Sequence, residues 1–166
     1  MNYIKIDLAE LYDAVQILSI VKKLGILTYN YSFNDNEGRV IKYGVQYSCG
    51  RQPGERVYRQ AANLNGWGKP LPYSSNGMSM RMVANDYEKL YSIPLDRSIV
   101  SVSIWDQTNT SLSLSEMRAK CERIETKLIE NHIELFSCAP VGNNEKSTKL
   151  KVQKKRNSVI INEIFV

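Results

Sequence analysis

Long apolar runs are missing from this chain of 166 residues. A helix that spans a bilayer needs about 18 or more consecutive apolar residues, so no membrane span is expected. The first residues have no basic-then-apolar leader pattern, which gives the expectation of a cytoplasmic protein. Cysteine is scarce: Cys49, Cys121 and Cys138 are odd in number and widely spaced, which argues against a disulfide framework. Histidine is scarcer, with His132 alone. A zinc site from Cys121, His132 and Cys138 would lack the usual C-x-x-C anchor. The cysteines are therefore read as small core residues, and His132 as a residue of an apolar helix face.

The apolar share of 43% and charged share of 23% are ordinary for a globular chain. The length suits one domain over residues 1–166 with a proper core. Net charge is +5 and unevenly spread, because 145–166 carries six Lys or Arg against Glu145 and Glu163. A basic tail is a footprint of polyanion binding, and equally of a solubilising surface segment.

Apolar positions 8, 11, 12, 15, 18, 21 and 24 follow helical spacing and predict a bracing helix over 6–24, with Asp7 as N-cap. Residues 26–33 and 39–47 read as strands joined by the turn Asn34 to Gly38. Tyr29, Tyr31 and Phe33 share one strand face. A helix is expected over 55–64, a loop over 65–75, a helix over 78–91 capped by Asn76, and a third strand over 98–105. A long helix over 115–133 buries Met117, Cys121, Ile124, Leu128 and His132, with Glu125 at the edge of that stripe. A bend at 136–144 and an apolar strand over 158–166 close the chain. The fold class is α+β: a small, mainly antiparallel three-stranded sheet flanked by helices.

The stretch 25–64 gathers a phenol, an ammonium and a guanidinium on one small scaffold, through its tyrosines, Lys42 and Arg56. Arg56 opens a helix, where backbone N–H groups also favour an anion. Such a group suits a phosphodiester. The blander reading makes the tyrosines core, Lys42 and Arg56 surface residues, and Glu125 a partner of Lys127 or Arg118.

In order, the segments YNYSF, IKYG, GERVYRQ, SIVSVSIW, RIETKLIENH and APVGNN resemble the GIY-YIG nuclease superfamily over residues 25–144. The first motif departs from the pattern, because Leu27 follows Gly25-Ile26. The family tyrosine then corresponds to Tyr31, by distance from IKYG, or to Tyr29. Lys42 stands where many relatives have Tyr, as in the compact restriction and phage-type members with K-x-G. Gln60 stands where many carry His or Tyr.

The resemblance implies a nuclease core with an insertion over 65–97 and a basic C-terminal segment. It implies a Mg²⁺-dependent (or Mn²⁺-dependent) DNA endonuclease, for which sequence-specific cutting of both strands would need a homodimer or two binding events. Glu125 would hold the metal. Tyr31 would position or deprotonate water, with Lys42 lowering its pKa. Arg56 would clamp the phosphate. Tyr43 belongs to the same motif, and Asn143 or Asn144 would shape the site. Arg59, Lys69, Arg81, Lys154, Lys155 and Arg156 would contact DNA. The second reading is a nucleic-acid-binding module without cleavage.

Overall fold

The computed structural model describes residues 2–46, 52–64, 67 and 80–143. The loop over 65–75 apart from Trp67, the Asn76 cap, Lys69, Asn144, Lys154, Lys155, Arg156 and the strand expected over 158–166 lie outside the described residues. Among those described, the chain is α+β with four strands and four α-helices. These are β1 (Tyr3–Asp7), α1 (Gln16–Lys23), β2 (Tyr29–Asn34), β3 (Val40–Gln46), α2 (Glu55–Ala62), α3 (Met80–Tyr91), β4 (Ser101–Asp106) and α4 (Leu114–Phe136). The sheet order is β1-β4-β2-β3 and every pairing is antiparallel.

The sheet has four strands rather than three, and the start of the chain accounts for the difference. The helix expected over 6–24 is replaced by β1, a 3-10 turn over Leu8–Glu10 and a shorter α1. Residues 3–7 alternate, with Ile4 and Ile6 facing the core beside Ile104 and Val102. Asp7 makes no capping bond and pairs instead with Lys5 at 3.5 Å. The start of α1 is organised by Asp13 and Gln16, whose side-chain oxygens accept from the backbones of Val15, Tyr12 and Asp13. The buried face of α1 is Ile17 and Val21, while Tyr12 is 92% exposed.

Period-two alternation divides the sheet residues between two faces. Tyr29, Tyr31 and Phe33 lie on one side, opposite Asp106, Ile104 and Val102 of β4. They join Val57 and Ala61 of α2 and Met80, Val83 and Tyr87 of α3 in the main core. The other face carries Tyr43, which packs under Ile124, Leu128 and Ile129 of α4. The stretch after α2 contributes to the core, since Met80 and Val83 are 0% exposed. Ser113 caps α4 by accepting from the Glu116 backbone at 3.2 Å. A bulge between β2 and β3 pairs Lys42 with Phe33 and Val40 with Asn34, leaving Ile41 as the extra residue.

The β2–β3 turn is locked by Asp35. Its side chain accepts from the backbones of Glu37 and Arg39, from Arg39 Nε at 2.6 Å and from the Tyr87 hydroxyl at 2.8 Å. The Arg39 guanidinium also lies 4.0 Å from the centre of the Tyr91 ring. Burial alone would raise the Asp35 carboxyl, yet the bonds from Arg39 and Tyr87 outweigh it and hold it below its ordinary value. A depressed folded-state pKa adds stability above the unfolded value near 3.9, which is lost as pH falls through the folded value. Urea unfolding of wild type and Asp35→Asn is expected to show a gap at pH 7 that closes below about pH 4. A gap independent of pH would contradict the lock.

Candidate functional site

The site is built on a close approach between β2 and β3. Tyr31 faces Gly44 across the pair, and its ring lies over that glycine. A Cβ at position 44 would sit 2.3 Å from Tyr31 Cζ and 2.5 Å from its hydroxyl oxygen. The ring cannot step aside, because Tyr31 is 0% exposed and packs edge-on against Phe33. Its hydroxyl donates to Gln60 Oε1 on α2 at 2.8 Å. The glycine of the IKYG segment thus makes room for the phenol that ties α2 to the sheet.

Among the described residues β3 is an edge strand, and backbone groups on its outer side are met by side chains. The Asn143 amide accepts from the Tyr43 N–H at 2.7 Å and donates to the Tyr43 carbonyl at 3.0 Å. One residue pair on, Arg56 Nη1 donates to the Val45 carbonyl at 2.9 Å. The Arg56 N–H in turn donates to Gln46 Oε1 at 3.0 Å. Gly142 lets the 3-10 turn over Val141–Asn143 press onto β3, since a Cβ there would meet Lys42 Cβ at 2.7 Å. The buried Lys42 ammonium donates to the Gly142 carbonyl at 3.0 Å.

Burial pushes the Tyr31 phenol up to about 12. The Arg56 guanidinium opposes the rise, Glu125 adds to it, and the Gln60 bond lowers it slightly. The expectation that Lys42 would depress this pKa is therefore corrected in two respects. The shift is upward because the phenol is fully buried, and the cation that moderates it is Arg56. Burial raises Tyr29 further still, with Tyr31 adding to the rise and the Gly54 backbone and Arg56 opposing it. The Tyr29 hydroxyl makes no hydrogen bond of normal geometry, so a buried polar atom is left beside Arg56.

Arg56 and Glu125 thus each act electrostatically on Tyr31, which is bonded to Gln60. Glu125 is half-buried on α4. Lys42 of β3 bonds the Gly142 carbonyl, and the neighbouring Asn143 bonds the Tyr43 backbone. Tyr43 is turned to the opposite sheet face under α4, and burial pushes its phenol up to about 12. Arg59 is ion-paired with Glu55 at 2.8 Å, and Arg81 is exposed on α3. His132 is half-exposed near the end of α4, where its Nδ1 lies 2.6 Å from the Cys138 carbonyl. Gln46 was not singled out in the sequence. The alternation that aligns Lys42 with Gly44 also puts Gln46 on the Tyr29 and Tyr31 face. Comparison with family models, curated proteins and solved structures finds no match to this chain.

Gly44→Ala is expected to cost about 1–3 kcal/mol by overpacking, read as a lower midpoint in thermal unfolding. In a Tyr31→Val background the same change should cost far less, since the clashing ring is gone. Equal costs in the two backgrounds would show that the Tyr31 ring does not set the requirement for glycine.

Proposed function

We propose that this chain is a divalent-metal-dependent endonuclease hydrolysing DNA phosphodiester bonds, with the Tyr31 cluster as its site. One observation carries the reading. A carboxylate from α4 and a guanidinium from α2 both act electrostatically on the phenol from β2, although the three are far apart in the chain. Arg56 uses one side-chain donor on Val45. Its remaining N–H groups would take a phosphate oxygen and meet the charge that develops there in the transition state.

No group of three or more His, Cys, Asp or Glu able to hold a metal occurs among the described residues. That excludes a protein-rich cage there and is compatible with Mg²⁺, which keeps several waters and needs one or two carboxylates. The half-buried Glu125 carboxylate fits such a mode. Bound there, the ion would polarise a phosphoryl oxygen and acidify a water.

Tyr31 enters as a neutral phenol, because a pKa of about 12 leaves roughly one phenolate in 10⁵ at pH 7. It is a positioning residue: through Gln60 it fixes α2, and α2 carries Arg56. The buried Lys42 ammonium adds positive potential from the β3 side. Exposed Arg81 and Arg59 would meet the DNA backbone, as would Lys69, Lys154, Lys155 and Arg156. One such site cuts one strand at a time, so a double-strand break would need a homodimer or two binding events. No helix among the described residues is long and apolar enough to cross a membrane.

The second reading, nucleic-acid binding without cleavage, is favoured by the other work these residues do. Asn143 and Arg56 both bond the β3 backbone, and Tyr31 is fully buried.

Supercoiled plasmid with Mg²⁺ or Mn²⁺ separates the two. Nicked or linear products are expected from wild type, with Glu125→Ala slower by at least about a hundredfold. Intact plasmid with both proteins over a range of metals, alongside a gel shift with both, would establish the second reading. The pH–rate profile gives a further check. Tyr31→Phe should lower the rate yet leave the shape of the profile unchanged between about pH 6 and 9. An ascending limb that disappears with Tyr31→Phe would make the phenol a base and overturn the positioning role.

A further inference from the structure

Cross-strand pairing lays two polar rows over the sheet face away from Tyr31. One row is Lys5, Ser103 and Ser32, and the next is Asp7, Ser101 and Asn34. α4 packs over β3 and β2 on this face, and the part over β1 and β4 stays open as a cavity of about 670 Å³. That volume is in the range of small-molecule pockets. Most floor groups bond one another. Ser32 Oγ donates to Asn34 Oδ1 at 3.1 Å, Asn34 Nδ2 donates to Ser103 Oγ at 3.2 Å, and the Tyr3 hydroxyl lies 3.1 Å from the same oxygen. Ser101 is the exception. It lines the cavity, is 6% exposed, and its hydroxyl bonds none of the described residues. Tyr3 forms an aromatic wall at one end, half-exposed and 5.6 Å from the Trp105 ring.

The charges in the lining narrow the ligand. Lys5 stands between Tyr3 and Asp7 along β1 and pairs with Asp7 at 3.5 Å. The Asp35 carboxylate is fully covered and engaged by Arg39 and Tyr87. Glu10 adds one more carboxylate. An anion entering here meets Asp7 and Glu10, and an organic cation meets the Lys5 ammonium. A neutral molecule rich in hydroxyls can use both signs, because Asp7 accepts and Lys5 donates. A hydrocarbon would strip water from the polar floor and give nothing back.

We infer that this cavity binds a neutral saccharide. Each sugar hydroxyl both donates and accepts, which matches a floor of serine hydroxyls whose hydrogens turn to suit the partner. The buried Ser101 hydroxyl takes one sugar hydroxyl, and Asp7 and Lys5 beside it take the neighbours. The apolar C–H face of a sugar ring lies against the Tyr3 ring, which the bond to Ser103 holds in place. The cavity is on the other face of the sheet from the Tyr31 cluster, so the inference stands whether or not that cluster cuts DNA.

Trp67 and Trp105 are the only tryptophans, so Trp67→Phe leaves Trp105, which lines the cavity, as the fluorescent reporter. The neutral probes are maltotriose, cellotriose and triacetylchitotriose. Chitotriose and trigalacturonate are their cationic and anionic counterparts. At least one neutral sugar should shift the Trp105 emission saturably, with a dissociation constant of about 1 mM or tighter. Ser101→Ala should weaken that binding about tenfold and leave the thermal midpoint unchanged, since no bond within the protein is lost. Tyr3→Ala should weaken it by a similar factor. No saturable shift with any of the three neutral sugars would overturn the inference. So would tighter binding of either charged sugar, or wild-type affinity in Ser101→Ala. Glu125→Gln should bind the sugar like wild type, which keeps this test separate from plasmid cleavage.

Discussion

The phenol of Tyr31 can lie across β3 only because residue 44 has no side chain, and much of the local architecture follows from that approach. With the ring over Gly44, its hydroxyl meets Gln60, and the first turns of α2 come to rest beside the end of β3. Arg56 is then close enough to reach the Val45 carbonyl. A bulkier residue at 44 would lift the ring and with it the contact that sets α2. The bond to Gln60 contributes only about 1 kcal/mol by itself. Its larger effect is orientation, since a buried ring with a fixed hydrogen bond has one rotamer to occupy.

The second constraint is the edge of β3, which pairs with no further strand among the described residues. An unpaired edge is a template for association and is normally blunted or covered. Here Asn143 imitates a neighbouring strand with both halves of its amide, and Arg56 covers the next carbonyl. Lys42 adds a buried ammonium, costly by several kcal/mol unless bonded, and Gly142 provides the bond. The side chains with the most chemical potential are thus the ones that finish the sheet. Their structural and functional readings share the same geometry and differ only in what the spare donors of Arg56 and the carboxylate of Glu125 meet.

Much of this order is legible in the sequence, and the failures have causes. The strands β2, β3 and β4 and the helices α2, α3 and α4 have strong local patterns and fall within a few residues of the expected bounds. β1 does not, because its five residues pair with a strand some hundred positions later and its partner is invisible locally. The apolar positions from Leu8 onward also fit a helix, which hides the strand before them. Period-two alternation separates Tyr43 from Lys42 and Gly44, and Glu125 is correctly placed at a stripe edge. The direction of the Tyr31 shift is not legible, because it depends on burial depth and on which cation reaches the ring.

That shift limits the chemistry whatever occupies the site. A cation held by Glu125 would cancel the contribution by which that carboxylate raises the Tyr31 pKa. The phenol would then move down, against the burial that is the largest cause of the rise. Arg56 acts in the same direction and is already present. Burial is thus what keeps the phenol neutral, and the bond to Gln60 holds it in place.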